Sequence, residues 1–199
     1  MIGGILAGSV RLLLGVQAHW QGVGPDPRPR IYFANHTSNL DALVIWSALP
    51  SELRALTRPV AARDYWETGI RRYLALEVFN AVLIERKKVT AHDNPIEAMI
   101  EAMGERHSLI IFPEGGRFAG PEPAPFKAGL FHLARRRPDA ELVPVYLENL
   151  NRVLPKGEIL PVPMLSSLTM GAPIQRIEGE PKPDFLERAR LAVWNLRHT

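Results

Sequence analysis

The sequence predicts an α/β fold: a largely parallel central sheet with helices on both faces, led by a short N-terminal apolar helix. Three observations carry this. Short apolar runs of strand length, such as Ile31–Ala34 and Ser108–Phe112, stop at polar or glycine-rich turns. Segments with helical apolar spacing lie between them, which is the alternation that builds a parallel sheet. Helix boundaries are marked by capping residues and prolines, as at Asn94-Pro95 and Pro138.

The elements follow in order. Residues 1–18 are mostly apolar but carry Arg11 in the middle. That length is close to the minimum for a membrane span. A central arginine costs about 2.5–3.5 kcal/mol on insertion scales. No basic residue precedes the apolar part, which argues against a secretory signal. Two readings remain. One is a helix lying in the membrane interface, with Arg11 snorkelling to the headgroups and Trp20 at the edge. The other is an amphipathic helix packed on the core. The expected organisation is therefore residues 1–20 as an apolar helix and 21–199 as one α/β domain.

Gly22–Arg30 is a Pro/Gly turn region, and Ile31–Ala34 the first strand. Asn39–Leu49 reads as a helix ended by Pro50. Thr57–Ala62 reads as a strand, Thr68–Leu76 as a helix, and Ala81–Ile84 as a strand. Asn94, Pro95 and Glu97 suit the cap and first turn of a helix with Ile96, Met99, Ile100 and Met103 on one face. Ser108–Phe112 is a strand, Phe126–Arg137 a helix and Leu142–Leu147 a strand. A Pro-rich stretch, 151–175, holds a further strand at Ser167–Met170. A last helix starts near Asp184.

Composition narrows the function classes. At 199 residues, with 46% hydrophobic content, the chain can bury a sizeable core. There is no cysteine, which excludes disulfides, thiolate metal sites and a cysteine nucleophile. The formal net charge of +3 favours anionic partners without choosing among them. No His-Glu-x-x-His, P-loop or Gly-x-Ser-x-Gly motif occurs, so neither a catalytic metal nor a serine elbow is expected. Nor does any nucleic-acid-binding motif.

The chemistry gathers at strand ends, where open α/β sheets place their ligands. The first strand stops at Asn35-His36, and Asp41 follows five residues after the histidine. An aspartate near an imidazole fixes its tautomer and stabilises its charged form. Alone, the pattern also fits a polar loop with a capping histidine. A second strand runs to Glu85-Arg86. The strand ending in Phe112-Pro113 is followed by Glu114-Gly115-Gly116-Arg117. Glycines let backbone N–H groups approach an anion, and an arginine fork matches phosphate oxygens. Alone, that pattern also fits a turn beside a solvated arginine. Lys127 is a possible further cation, and Arg135–Arg137 suit a helix C-terminus.

Asn35-His36, four residues and Asp41 resemble the histidine/aspartate signature of the glycerolipid acyltransferases of lysophosphatidate acyltransferase type. Val82–Arg86, Phe112–Arg117 and Leu142–Val145 resemble the later blocks of that family, in order, and Phe126–Gly129 resembles a further Phe-Lys-x-Gly. The resemblance covers roughly residues 30 to 175. One position departs from it: Gly116 stands where the family usually has threonine, which puts the acceptor more in question than the reaction.

The resemblance implies acyl transfer from a thioester donor, acyl-CoA or acyl carrier protein as co-substrate, to a lysophospholipid hydroxyl, with no bound cofactor and no metal. It names 1-acylglycerol-3-phosphate as the preferred acceptor. It gives His36 the role of general base and Asp41 that of orienting it. Arg86, Glu114, Gly115, Gly116 and Arg117 form the phosphate site, with Glu114 holding the loop. Asn35, a candidate oxyanion donor, and Lys127 are accessory. The expected partners are the two substrates and a membrane surface, at the cytoplasmic side of the cell membrane. Asp41→Asn is expected to be nearly as damaging as loss of His36, through the wrong imidazole tautomer.

Overall fold

A computed structural model describes residues 2–13, 15–85, 94–118, 120, 122–148, 150 and 166–198. The strand Arg30–Ala34 (β2) lies at its centre and is buried along its whole length. Alternation along β2 sends Ile31 and Phe33 to one face and Tyr32 and Ala34 to the other, into two separate apolar cores. Burial on both faces makes Ile31–Ala34 a continuous apolar run, which is why it was legible, while the buried Arg30 that starts the strand pairs with Glu141 at 2.8 Å.

The remaining elements build outward from β2. Helix α1 is Ile2–Leu13, and β1 is Gln17–Trp20. After β2 come α2 (Asp41–Ala48), α3 (Ser51–Ala55), β3 (Thr57–Ala62), α4 (Arg63–Trp66) and α5 (Gly69–Tyr73). A π-helical turn, Leu74–Val78, leads to β4 (Val82–Ile84). Then follow α6 (Pro95–Met103), β5 (Ser108–Ile111), α7 (Gly129–Arg136), β6 (Glu141–Glu148), β7 (Ser167–Met170), α8 (Lys182–Trp194) and a 3₁₀ turn, Asn195–His198. The sheet runs β1-β7-β6-β2-β5-β3-β4. Its pairings are parallel except β6 with β7. Helices α1 and α2 and the π turn cover the Tyr32 face, and α6, α7 and α8 cover the Phe33 face. The fold class is the one read from the sequence.

Three local expectations change. Helix α1 stops at Leu13, and Gly15, with φ of 51°, turns the chain. Residues Gln17–Trp20 then pair in parallel with Ser167–Met170 as an edge strand. The expected boundary after residue 20 therefore separates nothing: the same sheet takes in both sides of it. Arg11 also does not snorkel. It donates to the carbonyls of Ser47, at 2.5 Å, and Leu49, at 2.9 Å, and so caps the C-terminal end of α2. Ala7 and Val10 bury the inner side of α1, while Ile5, Leu12 and Leu13 stay exposed. No helix among the described residues is long and apolar enough to cross a membrane.

The expected helix over Phe126–Arg137 begins only at Gly129. Phe126 is buried edge-on against Phe33, and the Lys127 N–H donates to the Pro113 carbonyl at 2.9 Å, holding these residues extended. Of the basic run at its end, Arg136 pairs with Glu97 of α6, and Arg137 with Asp139.

Pro59 sits at a fork. Thr57 to Pro59 pair with β5, whereas Val60 to Ala62 pair with β4. A proline has no N–H to give a ladder, so it suits the point where one pairing ends. Beyond it the carboxyl ends of β3 and β5 part.

Candidate active site

The carboxyl ends of β2 and β5 are neighbours because the two strands pair in parallel, Phe33 opposite Ile111. This brings His36 beside the turn that starts at Phe112, although 75 residues of chain lie between them. The imidazole stacks on the Phe112 ring, with centroids 4.2 Å apart and planes at 20°. Glu114 reaches back under the histidine. Its Oε1 accepts the His36 backbone N–H at 2.7 Å and its Oε2 accepts the Ala124 N–H at 3.0 Å. The Phe118 N–H closes the turn onto the His36 carbonyl at 2.8 Å.

Asp41 opens α2 and is fully buried. Its Oδ2 accepts three N–H groups: His36 Nδ1 at 2.9 Å, Thr37 N at 2.6 Å and Ser38 N at 2.9 Å. A carboxylate only accepts, so Nδ1 carries the proton and Nε2 keeps its lone pair. The imidazole is thereby set up to take a proton at Nε2. Asp41 Oδ1 has no hydrogen-bond partner among the described residues. All the orienting contacts thus enter one oxygen. That bears on Asp41→Asn: the amide oxygen must occupy the Oδ2 position to meet three donors, so the tautomer is kept. The sequence-based expectation of a wrong tautomer does not hold for this geometry.

Asn35 is occupied elsewhere. Its side chain donates to the Leu147 carbonyl at 3.0 Å and accepts the Leu147 N–H at 2.8 Å, and it is buried. It completes the β2–β6 pairing in place of a backbone residue. One of its two amide N–H groups is therefore spent on Leu147.

His36, Gly115, Gly116, Arg117 and Lys127 line one cavity of about 820 Å³. Gly115 has φ of 71°, and a Cβ there would come within 2.5 Å of Lys127 Nζ. The positive φ is what favours glycine here, since the lysine end is flexible and can move aside. Gly116 has no such constraint: a Cβ there meets nothing within 4 Å. Arg117 and Lys127 are exposed and make no ion pair among the described residues. Arg86 lies outside the described residues; Ile84 and Glu85, just before it, line the cavity. Burial pushes the Glu114 carboxyl above the usual carboxylate range, opposed by its two backbone N–H donors.

Beyond this polar mouth the cavity enters the gap between the diverging ends of β3 and β5. Leu40, Leu43, Leu74 and Phe79 wall it on one face of the sheet, and Ile96, Met99 and Leu130 on the other. Its volume and mostly apolar walls suit a small-molecule or lipid-chain site. Among the described residues no group of three His, Asp or Glu side chains converges as a metal site. Phe112 and the Glu114–His36 bond were not foreseen, because both depend on β5 lying beside β2.

Comparison with known proteins adds to this geometry. A family profile described as Acyltransferase matches residues 17–148. A 1-acyl-sn-glycerol-3-phosphate acyltransferase of Limnanthes alba is 29% identical over 168 residues, covering 82% of this chain and 57% of the relative. A Dictyostelium discoideum protein named Taffazin is 30% identical over 148 residues, 68% of this chain and 50% of that one. The human 1-acyl-sn-glycerol-3-phosphate acyltransferase alpha is 26% identical over 143 residues, 70% and 48%. The chain thus spans about half the length of the curated relatives it matches. The crystal structure of the 1-acyl-sn-glycerophosphate (LPA) acyltransferase, PlsC, from Thermotoga maritima shares the fold. Its TM-score is 0.75 at 17% identity, over 99% of this chain and 78% of that one.

Proposed function

We propose, from the premise that this chain belongs to the acyltransferase family, that it moves an acyl group from a thioester to the free hydroxyl of a lysophospholipid. The single observation that carries this reading is the His36–Asp41 pair, with Nδ1 committed to Asp41 and the histidine lining a cavity of lipid-chain size. His36 Nε2 takes the proton of the acceptor hydroxyl as the oxygen attacks the thioester carbonyl. The carbon–sulfur bond breaks, and the thiol leaves with a proton. Asp41 stabilises the imidazolium formed in between. The residues need no acyl-enzyme, since no cysteine is present and no serine elbow was found.

The acceptor phosphate is assigned to Arg117, the Gly115-Gly116 backbone and Lys127, with Arg86 kept as a second cation from the family resemblance. Two cations and two glycines at the mouth of the cavity support this assignment. Holding the phosphate there places the hydroxyl near His36 and removes part of the entropic barrier. The preferred acceptor is 1-acylglycerol-3-phosphate, after the printed names of the relatives. Acyl-CoA or acyl carrier protein serves as donor. The apolar part of the cavity receives acyl chain. The reading puts the enzyme peripherally on the cytoplasmic side of the membrane; the exposed Ile5, Leu12 and Leu13 and the basic excess support the membrane contact.

A second reading keeps the chemistry and changes the acceptor to another lysolipid, an aminolipid or a sugar lipid. The open space beside Gly116 favours it. A donor-by-acceptor panel with purified protein and a water-only control separates the two. Phosphorylated acceptor should be used in preference to the matching monoacylglycerol, and His36→Ala should lower turnover about 10²–10⁴-fold. Equal use of both acceptors promotes the second reading. Full turnover by a folded His36→Ala variant sinks the mechanism.

A further inference from the structure

The cavity has an unusual rim. Residues 63–73, comprising α4 and α5, are exposed apart from the partly covered Trp66. Ile70 is 76% exposed and Tyr73 48% exposed, on a helix of only five residues. Tyr65 is exposed too, and the Arg71 guanidinium sits 4.7 Å from its ring centroid. Arg63 and Arg72 are exposed beside them. Asp64 and Glu67 also lie in the segment, which therefore holds three arginines and two carboxylates, and the exposed Glu77 follows in the π turn.

What distinguishes this patch from a solvated surface is its continuity with the interior. Tyr65, Trp66, Arg71 and Leu74 belong to the rim and also line the cavity that His36 faces. The segment that exposes Ile70 and Tyr73 thus also supplies part of the cavity wall. Clustered exposed apolar side chains mark an interaction surface. Tyrosines favour the boundary between headgroups and hydrocarbon. Arginines beside them match the negative surface of an anionic bilayer. A bilayer touching this patch would deliver chains directly to the cavity that the rim opens into.

We infer that α4 and α5 form a docking surface for an anionic lipid bilayer, with Ile70 and Tyr73 entering the headgroup boundary. Lipid chains pass over the Tyr65–Arg71 rim into the cavity. This rests on the acyl-transfer reading for its purpose but not for its test. It adds a second contact to the one offered by the exposed Ile5, Leu12 and Leu13 of α1.

The test is flotation of the purified full chain with phosphatidylcholine vesicles, with and without phosphatidylglycerol as the minority lipid. Ile70→Ser with Tyr73→Ser should reduce partition into both vesicle types by about tenfold or more. Arg72→Glu should reduce binding to the anionic vesicles by about tenfold and leave phosphatidylcholine binding nearly unchanged. Both changes are on exposed side chains, so circular dichroism and turnover on a short-chain, monodisperse thioester and acceptor should match wild type. Unchanged flotation of both variants overturns the proposal. So does an effect seen only on binding an acidic carrier protein, or a shift in oligomeric state, which would assign the patch to that partner or to a second copy. A wild-type protein that floats as described but turns over no acceptor would overturn the acyl-transfer reading and leave the docking surface standing.

Discussion

Asp41→Asn is the substitution on which the site geometry makes its sharpest demand. In the wild type three N–H groups point at Asp41 Oδ2 and none at Oδ1. An asparagine can satisfy them only with its carbonyl oxygen in that position. Its NH₂ then takes the place of Oδ1, buried and without an acceptor among the described residues. The imidazole keeps its Nδ1 proton, so Nε2 stays a base. What is lost is charge. A hydrogen bond to an ionised group is worth about 1.5–3 kcal/mol and a neutral one about 0.5–1.5. The imidazolium therefore loses about 1–2 kcal/mol of stabilisation, or about 5–30-fold in kcat. The stranded NH₂ costs about 1–3 kcal/mol of stability, which for a chain of this size lowers Tm by about 2–10 °C. Asp41→Ala removes the oxygen altogether, frees three donors and lets the ring turn. Its loss should approach that of His36→Ala, about 10²–10⁴-fold. The assay is kcat at saturating acceptor for both variants, with nitrogen-15 NMR of the His36 ring to read the tautomer. An asparagine variant as slow as the alanine variant, with the proton on Nε2, would refute this reasoning.

The other substitutions probe the mouth of the cavity and its supports. Arg117→Ala should raise the acceptor KM about 10–100-fold, the worth of a charge-assisted contact. Arg117→Lys should recover part of it, and the donor KM should move little; steady-state kinetics with each substrate varied in turn decide this. Gly115→Ala forces a side chain to φ of 71° and against Lys127, and should cost about 1–2 kcal/mol in denaturant melts. Gly116→Ala meets open space and should stay within about 0.5 kcal/mol of wild type. Glu114→Gln offers one acceptor where two backbone N–H groups need one each, and should destabilise by about 1–3 kcal/mol. The raised Glu114 pKa means the folded state holds that proton more tightly than the unfolded chain. Its stabilising contribution is therefore lost as pH rises from the usual carboxylate value through the raised one. Urea melts across that window should slope downward more in wild type than in Glu114→Gln; parallel slopes would remove the linkage.

The parts of the fold that were legible in the sequence are those whose signal is local. β2 announced itself because burial on both faces makes Ile31 to Ala34 an unbroken apolar run; the buried Arg30 that starts it gave no such signal, since its partner Glu141 lies on β6. Helix α6 announced itself through Asn94, whose side chain accepts the Ile96 N–H at 2.9 Å. β1 was missed because Gln17, Ala18 and His19 are exposed and carry no apolar alternation. Its strand character comes from Ser167–Met170, far along the chain. Arg11 was misjudged for a similar reason: its partners are carbonyls at the end of α2, and nothing near residue 11 reveals them. In the site, the spacing of His36 and Asp41 was readable because a helix start brings both to one place. The stacking of Phe112 on His36 was not, since it needs the strand order. The same order makes Asn35 a structural bracket between β2 and β6, a role its sequence position did not reveal.

That bracket and its counterpart, Glu114, set a lower limit on what could be moved to another scaffold. A transplant carrying only the histidine, the aspartate and the loop between them would copy the visible signature. It would lack the clamp on Leu147 that ends β2 in a fixed place, and the carboxylate that grips the His36 N–H from a different strand. The smallest portable unit is three neighbouring parallel strand ends, those of β5, β2 and β6, with one side chain from each of two loops spanning the gaps. Anyone building such a centre anew would therefore have to begin from strand order and add the dyad last.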